Sequence, residues 1–316
     1  MGEGASYVAY GLSLHSSFRL PGMAQMGLVG PPSLSIDLEV PAELEAAWSG
    51  AAGPSPWRGQ LGDGHELTIE RGIEGDLRFA YGARACFLLS PEGDRLGCAP
   101  RDVACLDWQR VLLTRVLPNV SIAHGNEALH ACAVETPLGV VAIAAPSGTG
   151  KSTLGRELIR RGWPLFADDV VILSRGAGAI EARTGTPHMN IPAGAGDSDD
   201  LGVTLGSLAG ERWVVARHIA GRSRGVAAVA MLERGPGLAL EAEALPGNPL
   251  ALAPYMLGLP DDEGRDASRF ALYSDLVESV QLVRLTGGLA DRPADLADAL
   301  ERVLGLSSPL AARGVA

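Results

Sequence analysis

The stretch "VVAIAAPSGTGKSTLGRELIRRGWPLFADDVVIL" (residues 140–173) decides the fold class. It reads as an apolar strand, a glycine loop, an amphipathic helix and a second apolar strand. The segment "APSGTGKS" (residues 145–152) matches the phosphate-loop pattern G-x-x-x-x-G-K-[ST] at every defined position except the first, where Ala145 replaces glycine. A methyl group at the end of the strand is the smallest intrusion a side chain can make. The stretch therefore predicts an α/β protein with a phosphate-binding P-loop.

Each residue type in this loop has a physical task. Gly148 and Gly150 let backbone N–H groups turn towards an anion, at the positive end of the helix dipole. Lys151 is expected to reach the β- and γ-phosphates, Ser152 to ligate magnesium, and Thr153 to contact the α-phosphate. The alternative is a glycine-rich turn that binds nothing, in which a lysine would have little use. The predicted ATP-binding residues are Ser147, Gly148, Thr149, Gly150, Lys151, Ser152 and Thr153.

An acidic pair follows the loop helix, in "LFADDVV" (residues 165–171). An aspartate at the end of an apolar strand can anchor phosphate-bound Mg²⁺, and a second can accept the proton of an attacking hydroxyl. We assign Asp169 as the base and Asp168 as the metal ligand, or as the partner of a histidine. The alternative is a turn cap or a solvated pair at the edge of the sheet.

Two further side chains are candidates for the same site. His130 lies at the start of the strand that precedes the loop strand. It is interpreted either as a catalytic residue or as a core histidine whose hydrogen bonds are satisfied. Arg212 belongs to a basic stretch that also contains Arg217, Arg222 and Arg224. This stretch is either a solvated strand edge or a contact for the γ-phosphate or for an acidic peptide, with Arg212 as the first candidate.

Composition limits the class of protein. The 316 residues are 47% hydrophobic and 20% charged, as in globular domains, and the formal net charge of −11 argues against a nucleic-acid partner. Four cysteines without CxxC spacing predict reduced thiols rather than disulfides or a zinc site. No signal peptide and no apolar stretch long enough to span a membrane is recognised. We therefore expect a cytoplasmic protein with no membrane partner.

The pattern of predicted strands and helices divides the chain into two predicted domains. Residues 1–124 form a smaller β-rich N-terminal domain, with an amphipathic helix in "ACLDWQRVLLTRVLPNV" (104–120) that is expected to end before Pro118. Residues 125–316 form the P-loop kinase domain. Within it, the glycine-rich segment 184–200 is interpreted as a lid or peptide-binding segment, or as a linker.

The segments "LHACAV" (129–134), "APSGTGKSTL" (145–154) and "RRGWPLFADDVVIL" (160–173) resemble the HPr serine kinase family. They are closer to its stand-alone relatives, some of which phosphorylate the C-terminal Ser or Thr of a lasso-peptide precursor. The opening "YVAYGLSLHSSFRLPGM" (7–23) is also similar to those relatives. The resemblance implies a mixed sheet, related to phosphoenolpyruvate carboxykinase, behind the loop. "ARTGTPHMNIP" (182–192) does not reproduce the acidic-x-Arg-Gly signature of bacterial HPr kinases, which argues against HPr as the substrate and against phosphorylase activity.

The resemblance implies that Lys151 and Ser152 bind phosphates and Mg²⁺. His130 matches the histidine of the family, and Asp168 and Asp169 match its paired aspartates. It implies an ATP- and Mg²⁺-dependent kinase that phosphorylates a Ser/Thr hydroxyl of a peptide or protein, including the C-terminal residue of a lasso-peptide precursor. One alternative is a P-loop kinase of a small metabolite. Another is a non-catalytic nucleotide-binding switch, which would not need Asp169. The acceptor, homo-oligomer formation and a phosphorylase activity are left open.

Overall fold

The structure is a computed structural model of the protein, which describes residues 4–28, 30–53, 56–61, 64–176, 178–194, 200–208, 210–260 and 263–309. It contains an eight-stranded sheet, a larger ten-stranded mixed sheet and a three-stranded sheet, with helices packed against them. The predicted α/β class with a mixed sheet is therefore confirmed.

The eight-stranded sheet is formed by residues 5–100. Its strands are β1 (Ala5–Ala9), β2 (Leu12–Ser16), β3 (Leu34–Leu38), β4 (Trp57–Gln60), β5 (Glu66–Arg71), β6 (Leu77–Tyr81), β7 (Ala85–Leu89) and β8 (Arg95–Pro100). Their spatial order is β1-β2-β3-β8-β7-β6-β5-β4, parallel at β2/β3 and β3/β8 and antiparallel elsewhere. Helix α1 (Pro41–Ala47) packs on β7 and β8 through buried Leu44. In β3, buried Leu34 and Ile36 alternate with more exposed residues, as the sequence predicts.

A helix with one widened turn follows this sheet. It consists of α2 (Asp107–Val111), a π turn (Leu112–Val116) and α3 (Leu117–Ala123). The Leu117 N–H donates to the carbonyl of Leu112, five residues back. The expectation that the helix ends before Pro118 is wrong. Pro118 lies in the first turn of α3, where its missing N–H is tolerated, and the wider turn before it gives space to the ring.

The ten-stranded mixed sheet belongs to the second half of the chain. Its strands are β9 (Glu127–Leu129), β10 (Ala131–Thr136), β11 (Gly139–Ala144), β12 (Leu165–Ala167), β13 (Val171–Arg175), β14 (Ile180–Arg183), β18 (Ser223–Arg234), β19 (Glu241–Leu245), β20 (Met256–Leu257) and β21 (Gln281–Gly287). The main path is β12-β10-β11-β18-β14-β13-β9-β20, and β21 pairs with both β18 and β19. The pairs β11/β18 and β18/β21 are parallel, and the others are antiparallel.

Helices cover both faces of this sheet. Along β11, Val141 and Ile143 pack with α4 (Lys151–Arg160) and α6 (Pro293–Leu304). The alternate residues Val140 and Ala142 pack on the other face with α5 (Asp266–Ser279). Two 3-10 helices, Pro249–Tyr255 and Glu263–Arg265, lie before α5. Because both faces are buried, β11 reads as a continuous apolar run.

The segment interpreted as a lid, a peptide-binding segment or a linker contains regular structure. Residues 188–192 form β15 (His188–Pro192), which pairs with β17 (Glu211–Ala216), and β17 pairs with β16 (Gly202–Leu208). Residues 195–199 of the segment lie outside the described residues. The strand forms because Met189 and Ile191 are buried, a period-2 signal that is too short to recognise among glycines and prolines.

One hydrophobic core joins the two halves of the chain. The core of the eight-stranded sheet includes Ala128 of β9 and Val170 and Ile172 around the start of β13. The domain boundary between residues 124 and 125 stays a prediction, and buried side chains pack across it. None of the helices in the described ranges is long and apolar enough to cross a membrane.

Candidate active site

The glycine loop connects the buried strand β11 to the N-terminus of α4. Gly148 and Gly150 have φ angles of 81° and 108°, in the left-handed region that glycine adopts without strain. Gly150 is the N-cap residue of α4, which runs for ten residues from Lys151. Ala145 is fully buried at the end of β11. The loop thus ends at the N-terminus of a regular helix, where free backbone N–H groups and the positive end of the helix dipole favour an anion.

Lys151 is the one lysine of the chain, in which the remaining basic residues are arginines. Its side chain is buried at the base of the loop, with only 5% of its surface exposed. The ammonium group lies 2.9 Å from Nε2 of His130 and 3.4 Å from Oδ1 of Asp169. A lysine is a compact point charge, whereas an arginine would bring a planar guanidinium into the same space. The structure therefore joins the predicted lysine, histidine and aspartate in one cluster.

His130 lies between the lysine and the aspartate. Its Nδ1 is 3.1 Å from the carbonyl oxygen of Asp169, so a proton on Nδ1 is donated there and Nε2 accepts from Lys151. Burial, and then the positive charges of Lys151 and Arg115, lower the pKa of His130 despite the opposing effect of Asp169. His130 is consequently neutral at neutral pH. The sequence left Asp168 as a candidate histidine partner, but the histidine contacts Asp169.

Asp169 is held by three cationic or polar groups. Its Oδ2 accepts from the guanidinium of Arg115, and its Oδ1 faces Lys151 and His130. Burial alone would raise the pKa of Asp169, but Arg115, Lys151 and His130 outweigh it and hold this pKa well below its usual range. The backbone at Asp169 has φ = 98°, an uncommon conformation for a residue other than glycine. Such strain is maintained where the surroundings fix the residue, and it occurs often at functional sites.

Asp168 has the opposite electrostatic environment. Burial, and then the charge of Asp169, raise the pKa of Asp168 to about 6. Its Oδ2 accepts from the backbone N–H of Asn190 at 3.2 Å. In the described part of the chain, the buried side-chain oxygen of Asn190 has no hydrogen-bond partner. Asp168 and Asn190, both of which line the cleft described below, thus offer one charged and one neutral oxygen donor of the kinds that hard cations accept.

The pKa of Asp168 predicts that this residue destabilises the unliganded protein at neutral pH. Its pKa is raised above the unfolded value of 3.8, so the folded state binds its proton more tightly and stability falls as the pH rises from about 4 to 6. Asp168→Asn, which mimics the protonated acid, is expected to raise the free energy of unfolding at pH 7 by on the order of 1–3 kcal/mol. At pH 4 the gain should vanish. Urea denaturation at the two pH values measures it.

The control for this measurement is Asp275→Asn, which removes an exposed carboxylate paired with Arg175. It should change stability little at either pH. An Asp168→Asn protein that is no more stable than wild type at pH 7 would contradict the electrostatic description of this carboxylate.

A cleft of about 430 Å³ opens above these residues. Residues of the eight-stranded sheet, the α2/π helix, the glycine loop, the acidic pair and the three-stranded sheet all line it. They are Gln60, Leu61, Arg110, Val111, Thr114, Arg115, His130, Pro146, Ser147, Gly148, Gly150, Lys151, Ser152, Thr153, Arg156, Asp168, Asp169, Asn190, Pro192 and Glu211. Both halves of the chain therefore contribute to one site.

Most of the predicted site residues meet in this cleft, and two do not line it. The described lining lacks Thr149, whose N–H donates to the carbonyl of Pro146, and Arg212. Arg212 is in β17, where neighbouring side chains point to opposite faces, and Glu211 takes the position on the cleft. The role of Arg212 stays a prediction.

Several residues of the cleft were missed by the sequence interpretation, among them three arginines and an asparagine. Arg156, on the loop helix, is 7% exposed, and its guanidinium donates to the Thr153 hydroxyl at 3.0 Å. Arg115 and Arg110 come from the helix before the predicted boundary, and Asn190 comes from β15. Arg156 could have been found, because it lies five residues after Lys151 on the loop helix. A stronger signal of the site in the sequence is that Lys151 is the one lysine of the chain.

The π turn explains why two arginines of one helix reach the same cleft. In an α-helix five residues make about 1.4 turns, so Arg110 and Arg115 would point roughly 140° apart. The π turn at residues 112–116 adds a residue to the turn and brings them towards one side. Single π turns of this kind occur frequently at functional sites.

Comparisons with known proteins add little to this geometry. No protein-family model matches the chain, and no curated protein matches it. A solved structure, the Hpr(Ser) kinase/phosphatase from Coxiella burnetii, is similar with 13% sequence identity and a TM-score of 0.31. The match covers 55% of this chain and 94% of the other. At this TM-score and identity it carries no argument about activity, which has to rest on the site.

Proposed function

We propose that the protein is an ATP- and Mg²⁺-dependent kinase that transfers the terminal phosphate to a Ser or Thr hydroxyl of a peptide or protein. The observation that carries the proposal is the cluster around Lys151. The one lysine of the chain is buried beneath a glycine loop, and its ammonium contacts Asp169 and His130 on the floor of an open cleft. A buried ammonium beside a carboxylate, at a helix N-terminus, suits the binding and transfer of phosphate.

The loop would hold the phosphates of the nucleotide. The backbone N–H groups around Gly148 and Gly150 and the first turn of α4 supply donors and a positive dipole end. Lys151 would share its charge between these phosphates and Asp169. Arg156, buried on the same helix, adds a second fixed positive charge along the cleft. These groups favour an anion in an otherwise acidic protein.

Magnesium would be held by Ser152 and Asp168, with Asn190 as a neutral oxygen ligand. The buried side-chain oxygen of Asn190, without a partner among the described residues, and the raised pKa of Asp168 fit a site that would hold a cation. No cluster of three or more His, Cys, Asp or Glu ligands occurs among the described residues, which suits a metal that depends on phosphate oxygens. When bound, Mg²⁺ neutralises phosphate charge and helps to orient the transferred group.

Asp169 would accept the proton of the acceptor hydroxyl. Its low pKa keeps it ionised at every physiological pH, and Arg115 and His130 fix its orientation. Phosphate transfer passes through a loose transition state in which the proton leaves late, so a positioned carboxylate serves better than a strong base. Asp169 thus orients the nucleophile, while Lys151 stabilises the charge on the phosphates.

The test of the proposed function is transfer of label from γ-labelled ATP to a pool of Ser- and Thr-containing peptides in the presence of Mg²⁺. Acid-stable, alkali-labile label on the peptides is expected. Glycerol and free serine in parallel reactions test for a small-molecule acceptor. Nucleotide binding without transfer to peptides or to small molecules would refute the kinase proposal and favour a non-catalytic nucleotide-binding switch.

The single lysine gives a direct measure of nucleotide binding. An acyl-phosphate derivative of ATP, which transfers its acyl group to nearby amines, should label Lys151 as the one side-chain amine of the chain. An excess of ATP with Mg²⁺ is expected to reduce this labelling about tenfold or more, because it occupies the same loop. Peptide mapping measures the labelling. Urea-denatured protein serves as the control, in which ATP should give no protection. Equal labelling of the folded protein with and without ATP would refute nucleotide binding at the loop.

A further inference from the structure

Besides Arg156, the cleft is lined by a second buried guanidinium, that of Arg110. This residue is 9% exposed and lines the cleft. Its Nη2 donates to a carboxylate oxygen of Glu211. Its Nη1 is buried and has no hydrogen-bond partner in the described part of the chain. One end of the guanidinium is therefore occupied and the other is not.

A buried charged donor without a partner is costly. A guanidinium carries five N–H donors, and burying one of them without an acceptor costs the free energy of removing that donor from water. The hydroxyl of the neighbouring Thr114 donates to the carbonyl oxygen of Arg110 and does not accept from Nη1. A donor left in this state on the wall of an open cleft is positioned for an oxygen atom of a ligand.

The position of Arg110 identifies which ligand it meets. Arg115, five residues later on the same helix, contacts Asp169 beside Lys151. A five-residue step along a helix covers roughly 7 Å, about the length of two residues of extended peptide. Arg110 is thus too far along the cleft for the group that reacts and lies where a neighbouring group of the acceptor would be.

The charges in the cleft favour a carboxylate as that group. Among the described residues, the cleft is lined by the four cationic side chains of Arg110, Arg115, Lys151 and Arg156 and by the three carboxyl groups of Asp168, Asp169 and Glu211. Glu211 already shares the guanidinium of Arg110. A second, singly charged carboxylate at Nη1 meets less repulsion from Glu211 than a doubly charged phosphate would.

We infer that Arg110 is a specificity-determining residue that binds, through Nη1, a carboxylate located within about two residues of the acceptor hydroxyl. The inference rests on the proposed function, since it names the acceptor class of the same site. A C-terminal carboxylate and an acidic side chain next to the acceptor residue present the same chemistry.

The test compares binding of four probes to wild type and to Arg110→Gln, both saturated with a non-hydrolysable ATP analogue and Mg²⁺. The probes are acetyl-Gly-Ser with a free C-terminus, its C-terminal amide, acetyl-Ser-Asp amide and acetyl-Gly-phosphoserine amide. In wild type, one or both carboxylate probes should bind about tenfold or more tightly than the neutral amide, as ligand-observed NMR titration measures. Which of the two binds more tightly separates a chain terminus from an acidic side chain. In Arg110→Gln the ratio of carboxylate to amide affinity should fall to about one.

Glu211→Gln removes the competing carboxylate and should strengthen binding of the carboxylate probes, which a merely structural role of Arg110 would not produce. Arg110→Lys serves if Arg110→Gln does not fold, and it should keep part of the preference. Equal binding of carboxylate and amide probes to wild type, including no binding of either, overturns the inference. The inference is also overturned if Arg110→Gln weakens binding of the phosphate probe by as large a factor as it weakens binding of the carboxylate probes. Protection of Lys151 by ATP, measured on the same samples, tests the nucleotide site separately.

Discussion

Replacing Lys151 by methionine is expected to lower phosphate transfer by about 10³-fold or more and to weaken equilibrium binding of ATP. Methionine fills a similar volume, so the buried base of the loop stays packed while the charge is lost. Asp169 keeps its ion pair with Arg115, which limits the structural effect. Transfer from labelled ATP and equilibrium nucleotide binding are the two measurements.

The matched control is Arg160→Gln. Arg160 is a cation on the same helix, but it pairs with Asp200 and does not line the cleft among the described residues. Its loss should leave transfer within about twofold of wild type, because an exposed ion pair contributes little. Activity of Lys151→Met close to that of wild type would refute the phosphate-binding role of the loop.

Asp169→Asn is expected to lower kcat by 10²- to 10⁴-fold, the usual contribution of a positioned acid or base, while ATP still binds. Asparagine tolerates the left-handed backbone of this position, so the substitution tests charge and proton acceptance rather than folding. The neutral amide leaves Arg115 and Lys151 without their shared carboxylate. Single-turnover transfer, together with nucleotide affinity, distinguishes a chemical defect from a binding defect.

Asp275→Asn, which also removes an arginine-paired carboxylate, should retain full transfer because it lies outside the described lining of the cleft. If Asp169→Asn transfers phosphate as fast as wild type, Asp169 is not the base. Asp168→Asn then becomes the variant to compare, since loss of activity there alone would move the base to the neighbouring carboxylate.

How much of the site could be predicted depended on whether its residues lie close in sequence. The glycines, Lys151 and the acidic pair belong to one strand-loop-helix-strand unit, and local spacing is enough to bring them together. His130 is also local, because β10 pairs directly with β11. Asn190 could not be predicted, since it reaches Asp168 through a separate three-stranded sheet.

The helix arginines were unpredictable for a different reason. The apolar pattern of residues 104–120 correctly indicates a helix, but the pattern has a period of 3.6 and gives no sign of a π turn. Pro118 was read as the end of the helix because proline usually stops one. The widened turn that accommodates it is a tertiary adjustment, and it decides which side Arg110 and Arg115 face.

The π turn also sets the orientation of Arg110 relative to that of Arg115, although both residues belong to one continuous helix. A π turn is equivalent to an α-helix with one inserted residue, so converting residues 112–116 to regular α-helical hydrogen bonding with no residue removed would rotate everything before them by roughly 100°. Arg115 and α3 would stay docked on the core, whereas Arg110 would turn away from Glu211. Deletion of one residue between Arg110 and Arg115 would have the opposite effect, because it leaves the two arginines four residues and roughly 40° apart, on one side of a regular helix.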